Sequence, residues 1–182
     1  MLTITIKGRE EYNPATNKFI TVKDTVLSLE HSLVSISKWE SKFHKPFVTK
    51  DNKTNEELIY YVKCMTITQN VDPNVYSLLT RENIEEINNY ITDSMTATWF
   101  NERKDQPQRR NTEQITSELV YYWMVAFNIP WEAQKWHFNR LLTLIRICNI
   151  KNQPQKKHSM KETMSRNAAL NAARRKNLGT SG

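Results

Sequence analysis

The chain of 182 residues is 38% hydrophobic and 10% aromatic, with five Trp and seven Tyr, enough apolar surface for one folded core despite a mean hydropathy of -0.67. Its three glycines are too few for the Gly-rich phosphate loops and Rossmann-type turns of many nucleotide enzymes, which these counts exclude. The net charge of +7 is concentrated, because residues 151–182 hold eight basic residues against Glu162 alone and leave residues 1–150 formally neutral.

In chain order, the alternation Leu2 to Ile6 predicts a strand, and the β-branched positions Ile20, Val22 and Val26 within Phe19 to Leu29 predict one or two more. Tyr12 to Asn17 reads as the turn between them. Leu33, Ile36, Trp39 and Phe43 recur at helical spacing from His31 to His44, where Pro46 closes the run. Thr54-Asn55-Glu56-Glu57 is a capping box that opens a second helix through Met65. Asp72-Pro73 starts a short turn or helix, and Thr80 caps a helix from Arg81 to Ile91 with Ile84, Ile87 and Ile91 on its buried face. The run from Asn101 to Arg110 has no apolar residue and reads as an exposed connection.

Beyond it, Ile115, Leu119, Tyr122, Trp123, Ala126 and Phe127 follow the helical period, and Pro130 introduces a helix from Trp131 to Ile150 that completes a helical hairpin. Ser159-Met160-Lys161-Glu162 is a further capping box, heading an alanine-rich basic helix to Asn177 that buries too little to hold itself folded. The fold class is therefore mainly α (α+β): a helical domain with a small N-terminal antiparallel β element and a helical basic C-terminal extension. The divisions fall at 1–100, 101–110, 111–150 and 151–182.

No catalytic chemistry emerges from spacing. His31, His44, His137 and His158 show no i, i+4 pair, and Cys64 and Cys148 are lone thiols in apolar helical patterns, so neither metal, redox motif nor cofactor is expected. Glu82, Glu85 and Glu86 lie opposite the isoleucine face and read as solvated. The start lacks a signal-peptide pattern and no stretch reaches the roughly 18 apolar residues of a membrane span, so a cytoplasmic, non-enzymatic protein without membrane contact is expected. The candidate partner-binding residues are Trp99 and Phe100 beside the polar connection, and the cationic set Lys156, Lys157, Lys161, Arg166, Arg174, Arg175 and Lys176.

The strings His31-Ser32-Leu33-Val34-Ser35-Ile36-Ser37-Lys38-Trp39-Glu40, Cys64 to Pro73, Met95-Thr96-Ala97-Thr98-Trp99-Phe100 and Ser165 to Arg175 resemble the tail assembly chaperones of long-tailed bacteriophages. The resemblance runs through most of residues 24–178. It implies a non-virion assembly factor that coats the tape measure protein and helps tail-tube subunits polymerise around it, without enzyme activity. The alternatives are a nucleic-acid-binding protein using the basic arm, or a minor structural or connector protein of the virion.

Overall fold

A computed structural model describes residues 1–13, 17–49, 53–100, 114–152 and 160–179. The fold is mainly α with a small antiparallel β element at its N-terminus. Residues 1–148 form one unit around a single core, and residues 149–182 form a second.

The β element is a long ribbon. Strands β1 (Leu2–Ile6) and β4 (Thr25–Leu29) pair with Ile4 opposite Leu27 and Leu2 opposite Leu29; inside them β2 (Glu10–Asn13) pairs with β3 (Lys18–Thr21). The alternation has its usual cause: Ile4, Ile6, Leu27 and Leu29 face the core, while Thr3, Thr5 and Val26 face out. Tyr12 and Asn13 were expected as the start of a turn, yet they end strand β2, whose Glu10-Glu11-Tyr12-Asn13 has no apolar alternation and pairs with β3.

Gly8 sits where the inner and outer pairs meet, its amide donating to Asp24 Oδ1 at 2.7 Å. A Cβ there would lie 2.2 Å from the Val22 carbonyl oxygen and under 3 Å from the backbone of Lys23 and Asp24. Gly8→Ala is expected to cost about 1–3 kcal/mol by prising the ribbon apart, read as faster amide exchange through β1 and β4. Unchanged exchange would show that the ribbon bends there freely.

Helix α1 (Leu33–Phe43) is opened by Ser32 and Ser35 in a reciprocal cap and buries Leu33, Ile36 and Trp39. Helix α2 (Asn55–Met65) carries the expected Thr54–Glu57 capping box and lies against α1, where the Trp39 indole donates to the Glu57 carbonyl at 2.9 Å. After α2 the chain runs along the outer edge of β4: the Ile67 amide donates to the Ser28 carbonyl and the Glu30 amide to the Met65 carbonyl. A 3₁₀ turn, Pro73–Leu78, capped by Asp72, leads to α3 (Arg81–Thr92), capped by Thr80 and Asn83.

Helix α3 is turned from its expected phase. Ile87 and Tyr90 take the buried stripe, Ile91 is half-buried and Ile84 is exposed. The Tyr90 hydroxyl donates to Glu30 Oε1 at 2.6 Å, and that long-range bond, absent from any local pattern, sets the rotation.

Helix α4 (Ser117–Ala126) and a second 3₁₀ turn (Trp131–Lys135) both pack on α1. The single helix expected over Trp131 to Ile150 is broken: Trp136 is extended, His137 forms a β-bridge with Ser32, and α5 (Phe138–Asn152) starts after it. The Phe138 amide donates to the His31 carbonyl at 2.7 Å, so tertiary bonds displace the local helical ones.

In the second unit, α6 (Met160–Leu178) ends at Gly179, whose φ of +64° is the left-handed stop that glycine favours. The connection 101–110 and the cap residue Ser159 lie outside the described residues. No described helix is long and apolar enough to cross a membrane.

Candidate functional site

The predicted contact pair behaves unequally. Trp99 is 79% exposed, whereas Phe100 is half-buried with the Arg146 guanidinium 4.0 Å from its ring centre. Of the cationic set, Arg166, Arg174, Arg175 and Lys176 are exposed on α6. Lys161 belongs to the same helix, while Lys156 and Lys157 lie outside the described residues. At 100° per residue these charges point to all sides of α6, which gives the helix no single cationic face.

A larger surface was missed by the periodicity. From Leu119 onward helix α4 is apolar on every side, and the helix buries Ser117, Val120 and Met124 instead of the expected stripe through Tyr122 and Ala126. Tyr122 is therefore 64% exposed and Val125 60% exposed. Trp131, 55% exposed, packs its ring 5.7 Å from Tyr121, whose hydroxyl donates to Gln134 at 3.1 Å. From Leu119 to Trp131 there is no charged residue. A helix apolar all round normally lies buried on all sides, so an exposed face on α4 is unusual for a folded unit. That uncharged run was the signal available in the sequence.

Carboxylates and histidines inside the unit serve the fold. Buried Glu40 accepts the Phe47 amide on Oε1 and the Ser117 amide on Oε2, both at 2.7 Å, tying α1 to the first turn of α4. His31 and His137, far apart in sequence, are both buried with ring centres 5.0 Å apart. His31 Nδ1 hydrogen-bonds the Tyr61 hydroxyl, and His137 Nε2 donates to the Tyr90 carbonyl at 3.0 Å. His137 Nδ1 is buried with no hydrogen-bond partner among the described residues.

Burial, and secondarily the neighbouring His137, pushes His31 down to about 3, so it is neutral at pH 7. Burial likewise raises Tyr61 and Tyr90 above the ordinary tyrosine range. The two buried imidazole rings pin the start of α5 to the β4–α1 joint. Cys64 is half-buried and its thiol is pushed up to about 11 by burial, which leaves little thiolate for nucleophilic attack. Among the described residues, no group of three or more His, Cys, Asp and Glu could hold a metal.

Compared with known protein families, with curated proteins and with solved structures, the chain finds no match.

Proposed function

We propose that the protein is a non-enzymatic assembly chaperone of long-tailed bacteriophages that binds the tape measure protein during tail morphogenesis. The observation that carries this reading is the open aromatic face of α4 and the turn after it, where Tyr122, Val125 and Trp131 offer rigid, uncharged contact area. An extended helical client buries such a face without any catalytic chemistry. The cationic helix α6 adds a second means of attachment, suited to acidic segments.

Co-expression tests it. The full-length protein is expected to hold a fragment of the tape measure protein in the soluble fraction, and Tyr122→Glu/Val125→Glu is expected to lose that activity while keeping its helical circular dichroism. A fragment that pellets equally with and without the wild-type protein would sink the proposal. The cationic arm supports nucleic-acid binding as the competing reading. Its mark would be an affinity for a DNA duplex that falls steeply with salt and vanishes on reversing Arg166, Arg174 and Arg175.

A further inference from the structure

The two edges of the β1–β4 ribbon are finished differently. Along β4 the edge is sealed: the Ile67 amide donates to the Ser28 carbonyl at 2.8 Å, and the Ser28 amide donates to Thr68 Oγ1 at 2.9 Å. Ser28 therefore turns its backbone groups away from β1. In an antiparallel ladder the two members of a pair either face each other or both face out, and Thr3 is the residue opposite Ser28. The N–H and C=O of Thr3 thus point away from β4, and with a period of two so do those of Thr5.

Among the described residues no strand lies along that second edge: β1 pairs with β4 alone, and Thr3 and Thr5 make no backbone hydrogen bond to any other segment. Helix α3 packs on β1, yet both threonines stay exposed, so the edge is open to water. It also lacks the usual safeguards. From Leu2 to Ile6 there is no charged residue, no proline and no bulge, the devices that keep an edge strand from pairing with another chain.

The pattern of this edge reads the same in both directions, since Leu2-Thr3-Ile4-Thr5-Ile6 alternates apolar residue and threonine symmetrically about Ile4. Two copies related by a twofold axis at Ile4 set Thr3 of each opposite Thr5 of the other, and Leu2 opposite Ile6. Each Thr3–Thr5 pair then exchanges both of its N–H···O=C bonds, using the groups that face out. Apolar side chains meet on the core side and threonine hydroxyls on the outer side. A slip of one residue would turn one copy's core side outward.

We propose that β1 is the contact strand of a homodimer, in which two copies join edge to edge and antiparallel. The result is one continuous sheet running from β4 through both β1 strands to the β4 of the second copy. The contact uses neither the α4 face nor α6, so it stands or falls independently of the tape measure assignment.

Sedimentation equilibrium and amide exchange of the full-length protein test it. The expected result is a reversible monomer–dimer equilibrium, with the Thr3 and Thr5 amides slowing at least about ten-fold from dilute to concentrated protein. Thr3→Lys/Thr5→Lys sets lysine against lysine in this register and is expected to weaken the dimer about ten-fold. Thr3→Glu/Thr5→Lys sets glutamate against lysine and is expected to restore it to within about three-fold. Both positions are exposed in the single copy, so the circular dichroism of either variant should match the wild type. Wild-type exchange decides the matter even if a variant misfolds. A protein that stays monomeric up to about 1 mM would overturn the proposal. So would a dimer whose Thr3 and Thr5 amides exchange as in the monomer, equal weakening by the two folded variants, or growth past the dimer into open-ended aggregates. Protection of these amides only on adding a peptide from another protein would overturn it as well.

Discussion

Glu40→Ala is expected to destabilise the protein by about 3–4 kcal/mol, the largest loss from any single polar side chain in the unit. Glu40 is buried, and both of its oxygens accept backbone amides at 2.7 Å, from Phe47 and Ser117. Each is a charge-assisted bond, and Ser117 opens α4, so the carboxylate also faces the positive end of that helix. Alanine removes two acceptors and leaves the buried Ser117 amide without that partner. Glu40→Gln keeps one acceptor but turns an amide N–H toward a backbone N–H, and is expected to cost about 2 kcal/mol. Urea unfolding measures both, with exposed Glu118→Ala as the control at under about 0.5 kcal/mol. A Glu40→Ala loss below about 1 kcal/mol would mean that α4 is held by its apolar contacts alone.

The second large effect is a loss of stability in acid. His31 is held near 3 in the folded chain, against about 6.5 when exposed, so between those values the unfolded chain binds a proton that the folded chain excludes. The contribution is therefore complete above about pH 6.5 and is lost as the pH falls toward 3, at up to about 1.4 kcal/mol per pH unit. From pH 7 to pH 4.5 this amounts to about 2–3 kcal/mol from one imidazole. His137, Tyr61, Tyr90 and Glu30 surround the site, so the test is a difference: His31→Gln should flatten the pH dependence by that amount while lowering stability at pH 7. A variant as acid-sensitive as the wild type would place the titration elsewhere.

Local chemistry made much of the fold legible. The caps at Thr54, Thr80 and Asp72, the alternation of β1 and the stop at Pro46 are signals spanning a few residues, and the elements they predict are present. What was not legible depends on residues far apart. The break at His137 follows from its bridge to Ser32, and the rotation of α3 from the Tyr90–Glu30 bond, 60 positions apart. Periodicity fails differently in α4: with apolar residues on all sides the 3.6-residue period has no phase to read, so the exposed Tyr122 was assigned to the core stripe. The exposure of Trp99 was legible because a polar run abuts it. The carboxylate of Glu40 gave no signal at all, since its partners lie seven and 77 residues away.

The most direct measurement is amide hydrogen exchange of the full-length protein, alone and in complex with a tape measure fragment. If the protein works through the α4 face, amides from Leu119 to Trp131 slow markedly on binding while those of the β1–β4 ribbon stay unchanged. A complex that leaves the Leu119–Trp131 amides exchanging at their free rate, or the absence of any complex, would contradict it.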